Sequence, residues 1–550
     1  MDWWGKGLSP LTSGLSEHGR TLDAVDRSGL ASGNPSRTVR GVPAEFDLAI
    51  VGSGFAGTLL AMIARRQGLS VLLVERGRHP RFAIGESSTP LSNLWLEILA
   101  DRYDLPRLRP LSQWGTWQAA HPHLGCGLKR GFSYFHHEAG RVWQGRADRA
   151  DQLLVAASPN DAVADTHWFR PDFDAFLVEE AIRLGVEYRD ETTLTSCEPG
   201  PGGVSLEGRS GGREFRTVAG FLVDASGPRG FLHRALGLPE ASFEDFPKTR
   251  ALFSHFTGVD RWADHQPALS GAPFPADDAA LHHTFEGGWM WVLRFNNGIT
   301  SAGFAESVHG DPDRGIATDP DPGVSWNHFL ERFPSIGRQF SGAQPLRPWT
   351  RSEPLAFRTA RCVGPGWAQL PMAAGFVDPL FSTGFVLSLL GIERLARWLE
   401  TGRTGAALAA YEADTLADLD ATARLIGGAY RVLGDPEAFE ALTMLYFASA
   451  SFAETALRLG KPGLAPGFLL RSHPRIGPAF RTLLAEAGRR PTAEWAARVA
   501  EAIEPINVAG LCNPKKGHWY GVDADDLRAG ASKLESTPEA IDTMLRNCGL

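Results

Sequence analysis

Between Phe46 and Glu75 the chain reads FDLAIVGSGFAGTLLAMIARRQGLSVLLVE, a pattern that leaves little choice of fold. Leu48, Ala49, Ile50 and Val51 form a short apolar run suited to a strand buried on both faces of a parallel sheet. Gly52, Gly54 and Gly57 then follow the spacing G-x-G-x-x-G, with Ser53, Phe55 and Ala56 between them. The first glycine permits a tight turn, the second lets backbone approach a pyrophosphate, and the third lets helix pack on strand. Apolar residues recur at helical spacing from Thr58 to Gln67, Gly68 ends the helix, and Val71 to Val74 forms a second strand. That strand delivers Glu75, with Arg76 beside it, to where an acid binds ribose hydroxyls. A strand, helix and strand in this order predict an α/β fold that holds a dinucleotide at the helix start.

The remaining length must serve that unit. With 550 residues, 43% apolar and 21% charged, the chain is long enough for more than one core. Its net charge of -8 supplies no general attraction for nucleic acid or an anionic membrane. The five cysteines are far apart and lack metal-ligand spacing, so no metal site is expected and a reducing cytoplasm is the simplest compartment. No apolar run reaches transmembrane length. Residues 1–45, rich in Ser, Gly, Arg and Asp, read as a disordered leader. The 46–400 stretch reads as the dinucleotide-binding domain, with substrate-sheet segments interleaved at about 110–165 and 245–345. Residues 401–550 carry helical periodicity and read as a C-terminal helical cap.

Several motifs along the chain carry chemistry. Gly85-Glu86-Ser87, followed by Pro90 and an amphipathic stretch, reads as a loop near the dinucleotide with Ser88 or Thr89 capping a helix. Lys129 lies in GCGLKRGFSYFHHE, a strand-like segment, and is one of only seven lysines against 48 arginines. A desolvated amine can donate hydrogen bonds or act as an acid, where a guanidinium stays charged. Arg170 opens a helix with Asp174 one turn on, and FLVDASGPRG ends a further apolar strand at Asp224, Ala225, Ser226 and Gly227. Trp289 and Trp291 alternate on what reads as a strand and so share a face. In AAGFVDPLFSTG, the N–H groups of Ser382, Thr383 and Gly384 open a long helix and suit an anion. A basic and aromatic segment from Asn513 to Tyr520 reads as a surface turn rather than a contact for an acidic partner.

The order of these motifs resembles the superfamily of FAD-dependent aromatic hydroxylases, geranylgeranyl reductases and flavin-dependent halogenases, and within it the halogenases. The likeness covers roughly residues 46–400. It implies FAD as the dinucleotide, reduced by a separate flavin reductase, and a halide ion as co-substrate. It further implies that Gly52, Ser53, Gly54, Phe55, Ala56, Gly57, Glu75, Arg76, Glu86, Ser87, Arg170, Ala225, Gly227, Asp378 and Gly384 contact the cofactor. Thr383 and Gly384 would bind halide, Trp289 and Trp291 would wall the substrate chamber, and Lys129 would steer hypohalous acid to an electron-rich aromatic substrate, free or tethered to a carrier protein. Two departures from the halogenase pattern stand out: Arg294 replaces a proline after the tryptophans, and Pro371-Met372 replaces Gly-Asp. The alternatives are an aromatic hydroxylase and a geranylgeranyl-reductase-like flavoprotein.

Overall fold

The computed structural model describes residues 38–39, 42–200, 203–244, 246–307, 319–352 and 354–550. The expected leader over 1–45 lies almost wholly outside them.

The chain is organised on two sheets. In the first, Phe46–Val51 lies between Val71–Val74 and the end of Arg213–Asp224, all parallel, with Leu48 opposite Val71 and Ala219 opposite Phe46. Glu187–Arg189 and Trp367–Gln369 extend this parallel core on its two sides. The strand Arg213–Asp224 is shared: its first half pairs antiparallel with Gly203–Ser210 and its second half completes the parallel layer. Leu48, Ile50, Leu60, Ile63 and Leu73 are each excluded from solvent here, and such burial contributes about 2–3 kcal/mol per side chain. The helices Phe55–Arg66, Arg170–Arg183 and Thr383–Glu400 pack with this sheet in one apolar cluster.

The second sheet is built from the segments that alternate aromatic and polar residues. Thr249–Thr257, Thr300–Ser307, Gly288–Arg294 and Ala280–Phe285 are antiparallel neighbours, and Gly131–His137 joins in parallel, followed by Gln152–Ala156. The stretch around Lys129 is two strands rather than one. Cys126–Lys129 pairs with Asp165–Trp168, whereas Gly131–His137 enters the large sheet. Arg130 is the switch, its N–H taken by the carbonyl of Asp278 at 2.6 Å.

After Thr401 the chain is mainly helical, with long helices at Gly405–Val432 and Pro436–Arg458. Asp435 caps the second through the N–H of Ala438. The segment 513–520 is not a free surface turn. Lys516 pairs with Asp526, His518 with Glu440, and Trp519–Tyr520 forms the outermost strand of the large sheet against Leu154 and Val155. Among the described residues no helix is long and apolar enough to cross a membrane.

Candidate active site

The glycine turn is shaped for something that needs bare backbone. Gly52 sits at φ +102°, and a Cβ on it would lie 2.6 Å from the carbonyl oxygen of Ala225; one on Gly57 would lie 2.1 Å from that of Gly52. Neither position accepts another residue. The helix Phe55–Arg66 starts at Gly54 with no side-chain cap and no acid in its first turn, so its positive end is uncompensated. These features fit a pyrophosphate, and Glu75, at the end of the second strand, fits the ribose. Its carboxylate accepts from the N–H of Ser53 at 3.1 Å, the N–H of Gly77 at 2.9 Å and Arg81 at 3.1 Å. Burial pushes its pKa up, but the Arg81 charge and these donors outweigh burial and leave it lowered. Arg81 was not singled out in the sequence; Arg76 is exposed.

Arg170 joins the turn to the Gly-Glu-Ser loop. Its guanidinium makes a bidentate pair with Asp174, both bonds 2.8 Å, and donates to the carbonyls of Ile84 at 3.1 Å and Gly85 at 2.9 Å. A Cβ on Gly54 would lie 3.5 Å from this guanidinium. Aromatic rings hold the junction: Trp168 stacks on Phe385 at 4.2 Å, and Phe55 meets Phe385 edge-on at 4.9 Å. The glycine turn, Arg170 and the residue after Gly384 therefore meet at one place. Ala225 closes it through its N–H to Val51 at 2.8 Å, while Asp224 accepts from the N–H groups of Ser226 and Leu232 and sets the turn that brings Gly227 to φ +83°.

The loop before the long helix is more constrained than its sequence suggests. Phe381 and Ser382 are both left-handed, at φ 66° and 55°, a cost of order 1–3 kcal/mol each for residues other than glycine. Ser382 N–H donates to the carbonyl of Pro379 at 3.1 Å, so the expected run of three anion-facing donors is reduced to Thr383 and Gly384. The helix they open has no side-chain cap and no acid in its first turn. Asp378 turns inward. It accepts from the N–H of Leu380 at 3.0 Å, the indole of Trp289 at 3.2 Å and the hydroxyl of Tyr430 at 2.9 Å. Burial raises its pKa to about 6, against the opposing pull of those donors. Trp291, 5.6 Å from Trp289 on the same face, donates to Ser301, and both indoles belong to the apolar cluster that contains Val377, Leu380 and Phe381. Arg294 lies at the strand end, bonded to the carbonyls of Val259 and Asp260 and facing Asp277. Pro371 packs on the long helix, where a Cβ on Gly391 would come within 2.4 Å of its ring.

Lys129 is wholly buried. Its amine donates to Ser87 Oγ at 3.0 Å and to the carbonyl of Ser88, and lies 3.9 Å from the centre of the Phe132 ring. Burial lowers its pKa, and the charge of Asp165 limits that fall. Glu86 is held by His255 at 2.7 Å, and Thr89 caps the helix Pro90–Arg102. A line of rings leads from the amine toward the anion loop: Phe132 to Tyr446 at 6.3 Å, then Tyr446 to Phe381 at 5.0 Å, with Tyr446 hydroxyl donating to the carbonyl of Phe381 at 2.9 Å. Asp165, Tyr446 and His255 went unremarked in the sequence; only the register of distant strands brings them here.

A cavity of about 240 Å³ is lined by Thr89, Trp95, Val386, Leu390, Tyr446 and Phe468 among others. Trp289 and Trp291 do not line it.

Comparison with known proteins agrees with this geometry. Over 347 residues the chain is 35% identical to the tetracycline 7-halogenase of Kitasatospora aureofaciens, covering 62% of this chain and 60% of that protein. Over 353 residues it is 34% identical to the monodechloroaminopyrrolnitrin halogenase PrnC of Pseudomonas fluorescens, covering 64% and 61%. The matches thus span about three fifths of each of these curated relatives. Among solved structures, halogenase PltM in complex with phloroglucinol and FAD superposes with a TM-score of 0.75 at 26% identity, covering 86% of this chain and 99% of that one. Residues 47–398 match the family described as FAD dependent oxidoreductase. With the glycine cradle, the ribose acid and most of its length inside that match, the chain belongs to the FAD dependent oxidoreductase family.

Proposed function

We propose that the chain is an FADH2- and O2-dependent halogenase that chlorinates or brominates an electron-rich aromatic substrate through hypohalous acid. The observation that carries this reading is Lys129: an amine with no solvent exposure, clamped by the Gly-Glu-Ser loop and connected by aromatic rings to the loop that opens the long helix. FAD, when bound in reduced form, supplies two electrons to dioxygen, so that FADH2 + O2 + X⁻ + ArH + H⁺ gives FAD + ArX + 2 H2O.

The chain's own residues divide the remaining work. Gly52 to Gly57, with Glu75, Arg170, Ala225 and Gly227, hold the cofactor. The N–H groups of Thr383 and Gly384 attract the halide at a helix start. Trp289 and Trp291, tied down by Asp378 and Ser301, wall the loop that carries those groups and exclude water from it. Two N–H bonds of the Lys129 ammonium are occupied by Ser87 and Ser88, which aims the third, and that third N–H holds the oxidant against the substrate ring. Arg294, whose side chain is spent on Val259, Asp260 and Asp277, is a strand-end anchor and does not favour the hydroxylase alternative.

Relatives named for tetracycline and aminopyrrolnitrin point to phenols and aminoaryl rings. Others named as 1H-pyrrole-2-carbonyl-[peptidyl-carrier protein] brominase and chlorinase make a carrier-tethered ring a substrate to include. A separate reductase supplies the reduced flavin, a reading supported by Pro371-Met372 where a flavin-retaining aspartate is expected. The test incubates the protein with FAD, a flavin reductase, NADH, bromide or chloride, and free and carrier-tethered phenols, anilines, pyrroles and indoles. Halogenated mass shifts are expected; hydroxylated products, with NADPH alone reducing the bound flavin, would replace this reading with the hydroxylase.

A further inference from the structure

Behind Lys129 lies a second feature that cofactor binding does not use. Lys129 and Asp165 are directly opposed in the antiparallel pair Cys126–Lys129 and Asp165–Trp168, which puts both side chains on one face of that ribbon. Asp165 is 5% exposed, and its Oδ1 accepts from Asn93 Nδ2 at 2.7 Å. Its other oxygen has no partner, nor do Asn93 Oδ1 and Glu97 Oε1, although all three atoms are buried. These three residues line one polar cleft of about 40 Å³, with Ser112, Glu454 and Arg458. A space of that size holds about one water, which can donate to two of the three orphaned acceptors.

We propose that Asp165 is a positioning residue for the Lys129 amine, and that the cleft of Asn93, Glu97, Glu454 and Arg458 is the hydrated path by which the pair exchanges protons with solvent. The use of this path in halogenation rests on the function proposed above; the coupling of carboxylate to amine does not. Each turnover in the balanced equation consumes one proton. The path carries it from solvent to water in the cleft and on to the buried pair, with no change in electron count.

The charged and titratable groups around the pair agree. From the large sheet His282, and from the strand of Asp165 itself His167, face the amine, and burial followed by repulsion from Lys129 drops each to about 3, so both are neutral spectators. From the helix Pro436–Arg458 come Tyr446, Glu454 and Arg458, the last bonded to Glu454 at 2.8 Å and 3.6 Å from Glu97. Arg109 closes the outer side, 3.5 Å from Glu97. Among these groups Asp165 is the anion that holds the proton on Lys129, and burial, partly offset by the Lys129 charge, raises its own pKa.

Seven lysines make the test direct. With lysine labelled at ¹³Cε and ¹⁵Nζ, the Lys129 signal, identified by its loss in Lys129→Ala, is titrated in the intact chain. Asp165→Asn keeps the shape and the Asn93 bond; the Lys129 midpoint is expected to fall by at least one pH unit. Glu454→Gln, at the outer end of the cleft, is expected to slow exchange of the Nζ protons several-fold with the midpoint nearly unchanged. A shift below 0.3 unit in folded Asp165→Asn overturns the pairing, and unchanged exchange in Glu454→Gln overturns the path; should Asp165→Asn not fold, the second variant decides. If the wild-type protein halogenates nothing, the function fails while the titration still judges the pair. If it halogenates, the alkaline limb of the rate moves to lower pH in Asp165→Asn by the same amount as the midpoint.

Discussion

The cofactor cradle and the surroundings of Lys129 achieve specificity by opposite means. The cradle is mostly backbone: glycines that exclude a Cβ, an uncapped helix start and a turn braced by Asp224. The surroundings of Lys129 are side chains brought from far apart, with Lys129, Asp165, Ser87, Phe132 and Tyr446 contributed by five separate segments. A site made of backbone tolerates nearly any neighbour but no added atom, whereas a buried amine and the carboxylate opposed to it depend on each other. Removing one partner costs more than the pair itself contributes.

That contrast can be broken at its strongest point. Under the function proposed above, Lys129→Ala is expected to lower halogenation on the order of 10³-fold while FAD affinity, followed by flavin fluorescence, stays within about a factor of two. A parallel loss of FAD binding would merge the two regions into one. Next in size, Arg170→Ala strands the buried Asp174 carboxylate and frees the loop at Ile84 and Gly85. Denaturant unfolding should show a loss of about 3–5 kcal/mol, with weakened FAD binding.

Asp378 sharpens the comparison, because it is a buried acid that stands between the two regions. Its folded pKa, about 6, is above the usual aspartate value. The stability it contributes is therefore fully present below about pH 4 and is lost as pH rises through 6, by on the order of 2–3 kcal/mol. Asp378→Asn should flatten that part of the stability profile when wild-type and variant curves are subtracted. A wild-type-minus-variant difference that shrinks toward low pH would contradict the raised pKa. The smallest effect is expected of Arg294→Pro, which matches the halogenase pattern but removes the bonds to Val259 and Asp260. A loss of about 1 kcal/mol with the same products would confine Arg294 to anchoring; a switch from hydroxylated to halogenated product would not.

The two regions also differ in how legible they are in sequence. Gly52, Gly54, Gly57 and Glu75 lie within one local unit, where spacing alone dictates which atoms meet. The strands of the large sheet were readable from their alternating aromatic and polar residues, although both faces of these strands are buried. Pairing of Lys129 with Asp165 was not readable, because it depends on the register of two strands separated by the whole Gly131–Ala156 hairpin. The inward turn of Asp378 toward Trp289 and Tyr430 was hidden likewise, and so was the loss of the Ser382 N–H to Pro379, which only the left-handed backbone at Phe381 and Ser382 reveals.

The short strand Trp519–Tyr520 carries a consequence for the order in which the molecule can be completed. It covers the rim of Gln152–Ala156, so a nascent chain leaves that rim's hydrogen-bonding groups open until Trp519 and Tyr520 emerge. Truncation before Trp519 would leave a template for strand addition between molecules, and grafting the tail of a relative onto this chain would succeed only if the graft brought its own closing strand.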